Sequence, residues 1–273
     1  MILRRGPVTL WVDPDVRSSS GFDAIAEPDA LLARPDCRII KDQKKIKVGR
    51  LTLDLNGRSL RVYVKRYNAF SARYKAVSLM AKSGALRALE GAAILKGGRI
   101  ATARPLAAVE IRPHGMLAAS FFITEEISGG KTADRYWQDD LSGLKGREGF
   151  QRRRGFLRGL AAVFSSLHGQ RIYHNDLKDA NILVAAADAP RGENFFLLDL
   201  EGVRRCSELS QRRRIKNVVQ LNRTLGRYLR RPERLYFLRS YLGAGGDEKS
   251  KLGWITSILN ESRRLDRAKA LAI

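Results

Sequence analysis

Twelve residues in the second half of the chain concentrate polar chemistry: Tyr173-His174-Asn175-Asp176-Leu177-Lys178-Asp179-Ala180-Asn181-Ile182-Leu183-Val184. They follow a helix that Gly169 is placed to cap, and they run into a short apolar strand. A second apolar run, Phe196-Leu197-Leu198, ends in Asp199-Leu200-Glu201-Gly202. A carboxylate, an ammonium, a neutral amide five residues past the carboxylate and a second carboxylate at a strand end are types that phosphoryl transfer requires. The transferred group carries charge on its peripheral oxygens, so its catalysis is mostly positioning and charge neutralisation. The competing reading is a polar turn between helix and strand, whose Asp and Asn make local caps. A single H-x-D would not decide between them. His174, Asp176, Asn181 and Asp199 in that order, after an amphipathic helix, favour the chemical reading.

The spacing resembles the catalytic and metal-binding loops of protein-kinase-like enzymes, H-x-D-x-x-x-x-N followed by D-x-G or a variant of it. The resemblance implies that Asp176 accepts the proton of the acceptor hydroxyl. It implies Asn181 and Asp199 as ligands of Mg²⁺ on the phosphates of ATP, with Lys178 near the γ-phosphate to offset its developing charge. His174 would orient the loop by hydrogen bonds.

The amino-terminal half supplies further parts of the same pattern. Asn56-Gly57 is a strong hairpin signal, and the strand after it ends in Val62-Tyr63-Val64-Lys65, which resembles V-A-I-K. A kinase uses such a Lys on the α- and β-phosphates and a helical Glu to hold it. Glu90 is the only acidic residue between Lys65 and Glu110, and it lies in a predicted helix. The strand Phe121–Glu126, ending in Glu125 and Glu126, resembles the hinge where adenine bonds to backbone. No G-x-G-x-x-G is present to cover the phosphates. The first hairpin offers only Lys41-Asp42-Gln43-Lys44-Lys45 as its turn, so a charged loop takes that place.

These residues need elements to hold them. Val8–Val12 reads as a short strand and Ser18–Gly21 as a loop. From Cys37 onward the pattern is β-like: Ile46–Val48 and Leu51–Leu55 alternate, Leu60–Lys65 follows the Asn-Gly turn, and three consecutive antiparallel strands are expected. Helical spacing runs from 71 to 96, with Ala85, Leu86, Leu89, Ala93 and Ile94 on one face. Two more strands, Pro105–Glu110 and Met116–Ile127, flank a turn at His114-Gly115. Gly129-Gly130 breaks the pattern as a linker would. A long amphipathic helix spans about 147 to 168 through Phe156, Leu160, Val163, Phe164 and Leu167. Strands at Asn181–Val184 and Phe195–Leu198 follow, and helices occupy the chain from 210. The expected class is α+β, a bilobal protein-kinase-like fold. Residues 1–128 would form a β-rich lobe over the nucleotide, and 129–273 a reduced, mainly helical lobe with the catalytic and metal-binding loops.

The whole composition narrows the partner. The chain has 273 residues, 44% of them apolar, enough for a sizeable core. Fifty-one Lys and Arg against 28 Asp and Glu give a net charge of +23. That excess implies a polyanionic partner: nucleic acid, an anionic membrane face, or a phosphorylated or carboxylated substrate. Cys37 and Cys206 suggest neither a disulfide framework nor a metal site. No apolar run suits a signal peptide or a membrane span, so membrane contact would be peripheral and the location cytoplasmic.

Tyr63-Val64-Lys65-Arg66-Tyr67, Thr102-Ala103-Arg104-Pro105-Leu106-Ala107, Tyr173–Leu177, Asp199-Leu200-Glu201-Gly202 and Arg234–Leu242 resemble the lipopolysaccharide kinase family over roughly 45–245. Asn175 stands where protein kinases carry Arg, and no A-P-E follows Gly202. The resemblance implies an enzyme that phosphorylates Kdo or heptose of a lipid-linked core oligosaccharide at the anionic inner-membrane surface. Basic clusters at Arg152-Arg153-Arg154, Arg204-Arg205, Arg212–Lys216 and Arg230-Arg231 suit that surface. Two other readings are a RIO- or Bud32-like kinase acting near RNA or protein, and a pseudokinase scaffold holding an anionic partner.

Overall fold

The computed structural model describes residues 1–17, 21–69, 78–79, 81–186, 193–243 and 248–270. These divide into two compact units. One comprises Met1–Ala93 with Ala103–Ile127, the other Ile94–Thr102 with Ser128–Ile273. The expected Ser18–Gly21 loop and the start of the helical run at 71 fall largely outside the described residues.

The first unit is organised on a seven-stranded antiparallel sheet in the order β1-β2-β6-β7-β5-β4-β3. Its strands are β1 (Ile2–Arg5), β2 (Val8–Val12), β3 (Arg38–Gln43), β4 (Ile46–Leu55), β5 (Arg58–Asn68), β6 (Pro105–Ile111) and β7 (Ala119–Glu125). Asn56 and Gly57 both take positive φ, 56° and 72°, which is what closes β4 onto β5 in register Leu55↔Arg58. The turn between β3 and β4 tightens to Lys44-Lys45. Alternation along β4 and β5 turns Leu51, Leu53, Leu55, Val62 and Val64 to one face. There they join Leu10, Leu106, Val109, Phe121 and Ile123, and the short helices Phe22–Ala26 and Pro28–Ala33 add Ile25, Leu31 and Leu32. Sequence periodicity did not reveal these helices, because each is too short to show a stripe.

The helix Gly84–Gly97 buries Ala85, Ala88, Ala92 and Leu95 rather than the face of Leu86, Leu89, Ala93 and Ile94. Its sequence is apolar on most sides, so periodicity could not choose a face. It begins against Tyr67: a Cβ on Gly84 would stand 2.6 Å from that ring.

The second unit is mainly helical. Gly146–Gly169 is its longest helix, preceded by Ala133–Tyr136 and a π-helical turn Trp137–Leu141 that the sequence did not announce. Trp137 meets Phe156 at a tilt with ring centres 5.7 Å apart, Phe156 meets Phe195 at 5.5 Å, and Phe164 meets Phe237 edge-on at 5.6 Å. These aromatic pairs bind the long helix to the helix Arg231–Leu242 and to β11 (Glu193–Leu197). The long helix ends at Gly169, but the left-handed residue that turns the chain is Arg171, φ 58°, two positions on. Small sheets hold the loops: β8 (Lys131–Thr132) and β10 (Ile182–Ala186) with β11, and β9 (Ile172–His174) with β12 (Val203–Arg205). The segment Ile94–Thr102 belongs with this unit, since Thr102 Oγ1 donates to Leu197 O at 2.7 Å and Leu197 N–H donates to Ala101 O at 2.9 Å.

Candidate active site

The loop between β9 and β10 is fixed almost entirely by hydrogen bonds. His174 is fully buried and makes two of them. Its Nδ1 accepts the Asp176 N–H at 3.2 Å, and its Nε2–H donates to Leu198 O at 2.9 Å. One imidazole thereby joins the loop to the strand that ends in Asp199. Burial pushes its pKa down, and the neutral form is the one this pair of bonds requires.

Asp176 itself is half exposed. Its Oδ2 takes the Lys178 ammonium at 2.7 Å and the Asn181 amide N–H at 3.0 Å. Asn181 Nδ2 also donates to Asp176 O at 2.8 Å. Among the described residues Oδ1 of Asp176 has no donor, so one carboxylate oxygen is held and the other is open. The same geometry turns the Asn181 Oδ1 away from Asp176. The β10–β11 register, Ile182↔Leu197, and the bond from Leu198 N–H to Asn181 O at 2.9 Å bring Asp199 alongside. Asp199 sits two residues past β11, in a left-handed conformation with φ 57° and ψ 58°.

A neutral amide oxygen and a carboxylate are hard oxygen donors that suit Mg²⁺, which keeps several waters and shares phosphate oxygens. Among the described residues no cluster of three or more His, Cys, Asp or Glu could hold a metal alone. A two-ligand magnesium site needs none.

The helix Gln211–Arg223 braces this loop through residues that sequence reasoning passed over. Asn217 is fully buried, and its Nδ2 donates to His174 O at 2.6 Å and to Gln220 Oε1 at 3.0 Å. Gln220 Oε1 also accepts the Leu177 N–H at 3.1 Å, and its Nε2 donates to Asn175 O at 2.8 Å. Thr224 Oγ1 accepts the Asp179 N–H at 3.4 Å. Behind Asn217, Oδ1 accepts from His168 Nε2 at 3.2 Å, and His168 Nδ1 takes the Tyr241 hydroxyl at 2.8 Å. Burial holds His168 down to about 4 and pushes Tyr241 up to about 12. The only signal in the sequence was Asn217, Gln220 and Thr224 recurring at helical intervals of three and four, polar residues on a face that also carries Val218 and Leu221. On the other side, Gly202 closes on the loop: Asn175 N–H donates to Gly202 O at 3.1 Å, and a Cβ on Gly202 would meet Asn175 Cβ at 2.8 Å.

In the first unit Lys65 lies mid-strand in β5, opposite Val48 and Phe122, with its ammonium 4.9 Å from the Tyr67 ring centre. Glu90 is on the exposed side of its helix and pairs with Lys82. Glu126 is gripped by Arg50 through two bonds of 2.9 and 3.0 Å and lies 3.4 Å from Arg61. The N–H groups of Glu125 and Glu126 are spent on Arg104 O and Arg61 O, at 2.9 and 2.8 Å. An adenine at this strand end would therefore need other backbone groups.

Comparison with known proteins adds a family. The model of the lipopolysaccharide kinase (Kdo/WaaP) family matches residues 43–241. A solved structure, WaaP in complex with acyl carrier protein, is 18% identical and covers 94% of this chain and 98% of its own, with a TM-score of 0.67. That likeness carries the kinase-like fold. No curated protein matches the sequence.

Proposed function

Because the chain belongs to the lipopolysaccharide kinase (Kdo/WaaP) family, we propose that it transfers the γ-phosphoryl group of ATP to a Kdo or heptose hydroxyl of a lipid-linked inner-core acceptor. The observation that carries the assignment of roles is the split Asp176 carboxylate. Lys178 and Asn181 fix Oδ2, which leaves Oδ1 to accept the proton of an incoming hydroxyl. Lys178, tethered two residues from the base, supplies positive charge where the transferred group would lie. Asn181 Oδ1 and Asp199 would hold Mg²⁺, whose charge offsets that of the phosphate oxygens. His174 keeps the two loops in one orientation. Lys65 and Glu90 are proposed for the nucleotide phosphates, a role that requires Glu90 to exchange Lys82 for Lys65. Glu125 and Glu126 are proposed to flank the adenine as scaffold, since Glu126 is already committed to Arg50.

The acceptor is proposed to be met at the cytoplasmic face of an anionic inner membrane. The net charge of +23 supports this reading, and so does a groove of about 310 Å³ beside the helix Gly146–Gly169. Phe150, Leu157, Leu235 and Tyr236 line it together with Arg153, Arg154, Arg239 and one acid, Glu233. An acyl chain with an anionic head matches that lining. No helix among the described residues is long and apolar enough to cross a membrane.

The test is transfer of labelled phosphate from Mg²⁺–ATP to purified lipopolysaccharide lacking core phosphate. Asp176→Ala should slow transfer by about 10²–10⁴-fold while ATP still binds. Near-normal turnover in that variant would remove Asp176 as the base.

A further inference from the structure

Next to the base lies a group of donors that the phosphoryl-transfer roles leave unused. Arg213 and Lys216, three apart on the helix Gln211–Arg223, both sit over the Tyr173 ring, at 5.4 and 5.8 Å from its centre. Tyr173 is nearly buried, so the ring fixes where both cations stand. Arg204 is opposite Tyr173 in the β9–β12 register and so emerges on the same face of that ribbon. Lys216 Nζ donates to Asn175 Oδ1 at 3.3 Å. That bond turns the Asn175 Nδ2 outward, and among the described residues it has no acceptor. Nor does any carboxylate among the described residues lie within ion-pair distance of Arg204, Arg213 or Lys216. Among the described residues, the one partner of the Arg213 guanidinium besides the ring is a weak acceptor, Cys206 Sγ at 3.1 Å. Asn175 immediately precedes Asp176.

Like charges gathered on one ring, with no acid among the described residues to balance them, raise the local concentration of anions. A guanidinium, an ammonium and an amide N–H converging beside a base are complementary to one acidic oxygen group. We propose that Lys216, Arg213 and the Asn175 amide form an anion subsite that receives an acidic group of the acceptor, a carboxylate or a phosphate ester. Arg204 adds longer-range attraction. The subsite deepens the sugar-kinase reading and rests on it for its purpose: it selects an acidic sugar, held one residue from the base, over a neutral one.

The experiment measures binding apart from transfer. Full-length protein is titrated, by ligand-observed NMR at low salt, with three probes: a Kdo methyl glycoside, the same glycoside with its carboxyl reduced to an alcohol, and a heptoside phosphate. The charged probes should bind about tenfold or more tightly than the reduced one. Lys216→Met and Arg213→Met should each remove most of that preference and shift the reduced probe less than about twofold. Both residues are on the surface, and unchanged melting temperatures identify variants that fold. Whichever of carboxylate and phosphate binds better identifies the source of the charge. Equal affinity for acid and reduced sugar, a preference that survives both substitutions, or no binding of any probe at millimolar concentration overturns the subsite. If the preference holds but labelled ATP transfers no phosphate, the kinase reading falls and the subsite stands.

Discussion

His174 and His168 show what single side chains contribute at this site. Each is a buried neutral imidazole with one nitrogen donating and the other accepting, and each would lose a bond on protonation. For His168 the folded pKa is about 4, against an ordinary value of 6.5. The unfolded chain therefore binds the extra proton between those values and the folded chain does not. Stability is fully present above pH 6.5 and is lost as pH falls toward 4, by about 3 kcal/mol for this group. Chemical denaturation at pH 7 and pH 4.5 should reveal the loss, and His168→Gln should flatten the dependence. A second expectation concerns Asp199. Asp199→Asn removes the charge of the oxygen ligand proposed for Mg²⁺, so it should raise the magnesium requirement and the KM for ATP more than it lowers kcat at saturation. Isothermal titration with Mg²⁺–ATP checks this, and unchanged affinity would dissociate Asp199 from the metal.

At the level of elements, the loop proposed for catalysis is held by its neighbours rather than by its own turns. Asn217 and Gln220 on one helix satisfy three of its backbone groups, and Gly202 presses from the opposite side. Asn217→Ala leaves the His174 carbonyl and the His168 N–H buried without their partner, at a cost of about 1–3 kcal/mol. Because Asn217 is fully buried behind the loop, its loss should appear as a lower kcat with little change in KM. Gly202→Ala should act similarly by steric displacement, since its new methyl would stand 2.8 Å from the Asn175 Cβ. Thermal melts and kinetics on the pair separate loss of stability from loss of alignment. Normal kcat in both variants would mean that the loop keeps its shape unaided.

For the whole molecule the dominant quantity is charge. Exposed basic residues near an anionic bilayer contribute about 1 kcal/mol each, within a Debye length of ~10 Å at 0.1 M salt. Sedimentation with vesicles containing phosphatidylglycerol should show binding at low salt that falls steeply toward 0.5 M. Vesicles of phosphatidylcholine alone should capture little. Equal capture by both would assign the positive charge to another polyanion.

What could be read from the sequence was whatever depends on neighbours along the chain. The Asn56-Gly57 hairpin, the alternation in β4 and β5 and the stripe of Gly146–Gly169 are local patterns, and each element formed near its expected bounds. The order His174, Asp176, Asn181, Asp199 was legible because those types sit on one loop and the strand after it. The sequence also determined the charge and the family pattern. It did not determine which face the helix Gly84–Gly97 buries, since apolar residues surround most of it and only packing selects Ala88 and Leu95. Nor did it identify Asn217, Gln220 and Gly202 as the brace of the loop. Their partners lie tens of residues away, and a polar side chain on an amphipathic helix reads as solvated until a buried carbonyl is placed against it. The split between the two oxygens of Asp176, and the gathering of Arg213 and Lys216 on Tyr173, belong to the same class. Hydrogen bonds and ring contacts between distant segments are set by tertiary distance, and no local pattern encodes them.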